Sequence, residues 1–163
     1  MPNLIVQWIY KIGYKLGLCF WRLFKPFTKG VYVAVWCKNK VLLIKNSYKD
    51  DYTLPSGGVK RGERMNVAAA RELFEEVHVK VNPDDLKFVG AYKNRHEYKN
   101  DTINLFEIRL KTEPSLKVDN REVVWAAFVD SSNVMRYRLF PTVKTYLQTY
   151  LHKNSGGQMS ESL

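Results

Sequence analysis

At Val31 the spacing of apolar residues changes from three or four to two, so the chain must combine helix and sheet. Upstream, Leu4, Ile5, Trp8, Ile9, Ile12, Leu16, Cys19, Phe20 and Leu23 recur at helical spacing, which predicts an amphipathic helix over residues 3–27 ended by Pro26. Downstream, residues 31–36 and 41–45 alternate as strands, with a tight turn at Lys38 and Asn39. Residues 52–54 read as a short strand and 55–58 as a loop, while residues 64–77, centred on Ala68, Ala69 and Ala70, read as helix. Further strands are expected at 86–92, 103–110 and 123–129, and a closing helix at 142–152 behind Phe140 and Pro141. The pattern predicts an α+β fold, a mostly antiparallel or mixed sheet flanked by helices. It divides into a helix over 1–29, a domain over 30–153 and a disordered polar tail over 154–163.

With 45% hydrophobic and 13% aromatic residues, 163 residues are enough for one domain with its own core. Cys19 and Cys37 make neither a disulfide framework nor a zinc site and fit a reducing, cytoplasmic setting as small buried hydrophobes. The net charge of +10 points to anionic partners: nucleotides, nucleic acid or an acidic membrane surface. Half of that excess lies in residues 1–30, where Lys11, Lys15, Arg22, Lys25 and Lys29 meet no acid. Lys11, Lys15 and Arg22 interrupt the apolar stretch too often for a transmembrane helix, and a secretory signal lacks both its basic start and its cleavage site. Trp8, Tyr10, Tyr14, Trp21, Phe24 and Phe27 among these cations suit a helix lying in a membrane interface. The same apolar stripe over residues 4–27 equally suits packing on its own domain or on a second subunit, and Gly13 and Gly17 would allow a close approach.

Glu72, Glu75 and Glu76 share one face of the second helix, where they repel one another. Oxygen-only anionic ligands suit Mg²⁺ or Mn²⁺, which keep waters and substrate phosphates in the remaining positions. Arg71 is placed to brace one of these carboxylates, and Glu63, eight residues earlier, can reach the same face. The glycines ahead of Glu63 allow a close approach to phosphate or metal. The run by itself also fits a solvated helix face.

Gly57, Glu63, Arg71, Glu72, Leu73, Glu75, Glu76 and Val79 fall in register with G-x5-E-x7-R-E-U-x-E-E-x-G-U, so the chain resembles the Nudix hydrolase family over residues 31 to about 151. His78 stands where that box has glycine, which implies a left-handed or rearranged helix end, and Ser56 replaces another frequent glycine. The resemblance implies an α/β/α sandwich with a mixed sheet. It also implies Mg²⁺ or Mn²⁺ held by Glu72, Glu75, Glu76 and the Gly57 carbonyl, with Glu63 as a ligand or a supporting carboxylate and Arg71 orienting Glu72. Hydrolysis of a phosphoanhydride by activated water follows, with Glu76 the first choice of base and Glu97, Asp101 and Glu122 as later acids that could complete the shell.

The resemblance implies a nucleoside diphosphate linked to another moiety as substrate. Neither the proline of ADP-ribose-cleaving members nor the Ser-Gln-Pro-Trp-Pro array of NADH-cleaving members is present, and Tyr98 falls near a tyrosine of dinucleoside polyphosphate hydrolases. Tyr48 and Tyr52 could stack on a base, with Gly58 beside the phosphates. The alternatives are an enzyme acting on RNA 5′ ends and a Nudix fold used only for binding, against which the complete set of box carboxylates speaks.

Overall fold

The structure, a computed structural model, describes residues 2–24, 27–94 and 100–157; Pro26, Glu97 and Tyr98 lie outside the described residues. In chain order the elements are α1 (Pro2–Phe24), β1 (Phe27–Cys37), β2 (Lys40–Asn46), β3 (Tyr52–Thr53), β4 (Ser56–Gly58), α2 (Met65–Val77), β5 (Lys87–Asn94), β6 (Asn100–Leu110), β7 (Val123–Asp130) and α3 (Pro141–Gly157). Short 3₁₀ turns occupy Pro83–Asp85 and Val134–Arg136.

Val31, Val33 and Val35 of β1 point to one face and Tyr32, Ala34 and Trp36 to the other, and all six are buried. A strand apolar on both faces needs cover on both. α2 supplies one layer through Ala68, Ala69, Leu73 and Val77, and α3 the other through Val143, Tyr146 and Leu147, which gives the expected α/β/α sandwich. The sheet is mixed and seven-stranded, ordered β3-β2-β1-β6-β5, with β4 also on β1 and β7 also on β2. β1 runs parallel to β6 from Phe27 opposite Asn100 to Cys37 opposite Leu110, which places Asp101 opposite Thr28. The β1–β2 turn sits where expected, and Lys38 enters the left-handed region at φ 52°.

The stretch expected as loop at 55–58 contains a strand. Ser56, Gly57 and Gly58 pair antiparallel with Tyr32, Val31 and Gly30, and Val33 N–H to Pro55 O (2.9 Å) and Val59 N–H to Lys29 O (3.2 Å) extend the ladder. Glycine's low strand propensity hides this pairing in sequence; the partner strand overrides it. β1 begins at Phe27, a residue expected to be helical, and α3 runs to Gly157, four residues into the expected tail. Residues 158–163 lie outside those described.

The α3 layer is tied down by a chain of hydrogen bonds. Trp36 Nε1 donates to the Tyr146 hydroxyl (2.9 Å), which donates to Glu107 Oε2 (2.7 Å), while the Tyr150 ring stacks on Trp36 at 4.0 Å. Tyr146→Phe leaves the buried Trp36 N–H without its acceptor, so we expect a loss of about 1–3 kcal/mol in urea unfolding. An unchanged midpoint would show that this bond contributes nothing.

Candidate active site

The box residues meet because β4 pairs with β1 above the layer occupied by α2. A Cβ on Gly57 would fall on the Glu72 carboxylate, so this approach of strand to helix requires glycine. Between them, residues 60–63 form a turn with Gly62 at φ 77° and Glu63 N–H bonded to Lys60 O at 3.0 Å. That turn aims Glu63 back at the helix.

Arg71 is the hub. Its Nε and Nη2 donate to the two oxygens of Glu63 at 2.8 and 3.0 Å, a bidentate pair. Nη1 donates to Glu72 Oε1 at 2.6 Å and to Glu75 Oε2 at 3.1 Å, and Nη2 also reaches the Gly58 carbonyl at 2.9 Å. One guanidinium therefore fixes three of the expected carboxylates and the loop. Arg71 and the Lys60 N–H (2.9 Å) hold the Glu63 carboxyl down to about 2. Hydrogen bonding to Glu63 in turn raises the proton affinity of Arg71.

Glu76 faces inward. Its Oε2 accepts the Ser56 N–H at 2.8 Å, and burial pushes its carboxyl well above the usual range, against the pull of Ser56 and of the Asn46 side chain. Burial also raises Glu72, with Arg71 opposing the shift. The charges of Glu72 and Glu122 raise Glu76 further, and those of Glu75 and Glu122 raise Glu72, so Glu122 belongs to the same electrostatic cluster. Tyr48 donates its hydroxyl to Glu122 Oε1 at 3.0 Å, and the Glu122 carbonyl accepts the Ser47 N–H at 2.8 Å.

Tyr52 stands apart, edge-on to Trp125 (5.1 Å) and Tyr137 (4.9 Å) with Lys45 Nζ over its ring. Of the two helix ends that the missing glycine implied, left-handed or rearranged, His78 takes the left-handed one, at φ 59° and ψ 25°, with its N–H on Phe74 O. Its ring lies 5.3 Å from Phe74, and its Nδ1 lies 3.1 Å from Lys117 O. Sequence reasoning missed Asn46, because a polar residue at a strand end carries no mark of its partner.

The available donors are all oxygens, which fits a hard divalent cation, and the close approach of the Gly57 backbone to Glu72 leaves the loop beside the carboxylates. Among the described residues, no three His, Cys, Asp or Glu side chains converge tightly enough to enclose an ion by themselves. That is compatible with Mg²⁺, which takes few protein ligands and keeps its waters.

A family model for the NUDIX domain matches residues 26–150, and the chain belongs to the Nudix hydrolase family. Among similar solved structures is a MutT/Nudix family protein from Enterococcus faecalis, 18% identical with a TM-score of 0.59, covering 66% of this chain and 45% of that one. An Ap4A hydrolase from C. elegans is 18% identical with a TM-score of 0.62, covering 79% of this chain and 98% of that one. A bifunctional NMN adenylyltransferase/ADP ribose pyrophosphatase from Francisella tularensis, complexed with AMP and a Mn ion, is 21% identical with a TM-score of 0.65, covering 93% and 48%. At these identities the likeness is one of fold, and the chain spans under half the length of the first and third. No curated protein matches the sequence.

The Glu63 carboxyl falls from an ordinary 4.5 to about 2 in the folded protein, so its ionised form stabilises the fold fully above 4.5, and this contribution fades as pH drops towards 2. In chelator-treated protein, Glu63→Gln should melt below wild type at pH 7, with the gap already narrowing at pH values between 4.5 and 2. A gap that stays constant through that window would mean the Arg71–Glu63 pair does not stabilise the fold.

Proposed function

We propose that the chain is a Mg²⁺-dependent pyrophosphohydrolase that cleaves the phosphoanhydride bond of a nucleoside diphosphate linked to another moiety. The observation that carries this reading is the pinning of Glu63, Glu72, Glu75 and the Gly58 carbonyl by Arg71, beside a buried Glu76. Glu122 belongs to the same cluster, its charge raising both Glu72 and Glu76 after burial has done so.

Glu72, Glu75, Glu76 and the Gly57 carbonyl would hold Mg²⁺, or Mn²⁺ in its place, with Glu63 and Arg71 fixing the orientation of Glu72. When bound there, the cation neutralises the diphosphate and acidifies a water. Glu76, held towards the cluster by the Ser56 N–H, takes the proton from the attacking water. The Ser56 N–H and Asn46 keep its carboxylate in place during that transfer. Space is open above exposed Gly58, where a Cβ would meet nothing within 4 Å, and the phosphates enter there. Tyr48, hydrogen-bonded to Glu122 at the edge of the cluster, and Tyr52 are the aromatic candidates for the base, although the Tyr48 ring already meets Tyr10 and Tyr14 and the Tyr52 ring meets Trp125 and Tyr137.

Two of the similar structures are named for action on Ap4A and on ADP-ribose, which supports a nucleotide-type substrate. Cys37 is the small buried hydrophobe expected, whereas Cys19 is exposed, contrary to that expectation; both are free thiols, which supports a cytoplasmic setting.

The test is phosphatase-coupled phosphate release from a panel of nucleoside diphosphate derivatives with and without Mg²⁺. We expect a Mg²⁺-dependent hit that falls roughly 10²–10⁴-fold in Glu76→Gln. Silence across the panel from folded, Mg²⁺-binding protein would move the reading to RNA 5′ ends or to binding alone. Gly57→Ala should weaken Mn²⁺ binding, followed by electron paramagnetic resonance, by about 10–100-fold because its Cβ displaces Glu72. Unchanged affinity would remove Gly57 and Glu72 from the metal site.

A further inference from the structure

α1 meets the rest of the chain along a mixed side that includes Val6, Gln7, Tyr14 and Leu18. Gln7 Nε2 donates to the Asn120 carbonyl at 2.8 Å, and Tyr10 and Tyr14 lie 6.2 and 5.1 Å from the Tyr48 ring. Val6, Gln7, Tyr14, Gly17 and Leu18 are the half-buried positions on that side. The opposite side is apolar and turned to solvent: Leu4 is 69% exposed, Ile5 65%, Trp8 65%, Ile9 60% and Leu16 66%. A surface helix of an isolated domain turns its widest apolar stripe inward, whereas here that stripe is uncovered and the side that docks is mixed. Stripes of this size mark an interaction surface.

Charge selects the occupant. Lys11 and Lys15, both exposed, flank the stripe next to Trp8, and residues 1–30 hold five cations and no acid. A second copy laid on this face would set the same lysines against one another, with no carboxylate on either helix to pair with them. An anionic lipid surface accepts the lysines and the apolar stripe together, the first at the headgroups and the second at the acyl boundary. No helix among the described residues is long and apolar enough to cross a membrane, so the contact would be with the surface.

We propose that the outward face of α1 seats this protein on an anionic lipid surface, with Leu4, Ile5, Trp8, Ile9 and Leu16 entering the interface and Lys11 and Lys15 meeting lipid phosphates. Docking in this way orients the catalytic cluster, because the inward face of α1 rests on Tyr48, whose hydroxyl holds Glu122. Only this consequence for catalysis rests on the hydrolase reading; the docking itself does not.

The experiment is co-sedimentation of the full chain with phosphatidylcholine vesicles, with and without phosphatidylglycerol. Wild type should sediment with the anionic vesicles and be released by salt. Trp8→Glu with Leu16→Glu should lower the partition coefficient by roughly tenfold or more at an unchanged melting temperature, and so should Lys11→Glu with Lys15→Glu. The lysine pair removes no apolar side chain and serves as the test should the first variant misfold. Folded wild type that stays in the supernatant, or that binds neutral vesicles equally well, would overturn the proposal. A solution mass of twice the chain's that is halved by the Trp8 and Leu16 changes would assign the face to a second copy and overturn it as well. Phosphohydrolase activity is read separately on soluble substrate without vesicles, so loss of the hydrolase reading and loss of the docking reading are distinguishable.

Discussion

The architecture depends on β1 being buried on both faces. Its six central residues, Val31 to Trp36, alternate between two apolar layers, so neither face can be left to water, and each recruits a helix. Burial of this kind is worth about 1.5–3 kcal/mol for each large side chain, against about 0.5–1.5 kcal/mol net for an ordinary hydrogen bond. The same strand also pairs with β2, β4 and β6. The pairing with β4 brings the chain segment carrying Gly57 over the helix carrying Glu72, so the site is a by-product of how the central strand satisfies its edges.

A cost accompanies that placement. Glu72 and Glu76 are drawn into a partly desolvated space with Glu122 nearby, and burial works against their charges. Arg71 offsets part of it, since its planar fork serves several acceptors at once in a way that the point charge of a lysine does not. Arg71 thus holds Glu63, Glu72 and Glu75 in place, while Glu76 is held separately by the Ser56 N–H. His78 shows the same trade on a smaller scale: a left-handed cap, unfavourable for a side chain with a Cβ, is accepted where the ring gains Lys117 and Phe74 as neighbours.

Among the described residues, none of α1 joins either core layer. Its contacts with the domain include the Gln7–Asn120 hydrogen bond and the rings of Tyr10 and Tyr14 at Tyr48, while Leu4, Ile5, Trp8, Ile9 and Leu16 remain in solvent. Its geometry relative to the site runs through Tyr48 and Glu122, which makes the loop before β7 the connection between the helix and the carboxylates.

The sequence by itself determined the period switch at Val31, both flanking helices to within a few residues at their starts, and the register of the box from Gly57 to Val79. These are local properties, written in spacings of two, three and four along the chain. Tertiary structure alone decided that the glycines at 57 and 58 form a strand, because their propensity argues against it and only the β1 edge stabilises it. It also decided that Asn46 supports Glu76, that Glu122 joins the cluster while Tyr52 does not, and that the apolar stripe of α1 faces outward. Each of these joins residues far apart in sequence. A helical period shows that a stripe exists, but which side of the helix the domain covers depends on the shape and polarity of the surface it meets, and that surface exists only once the chain has folded.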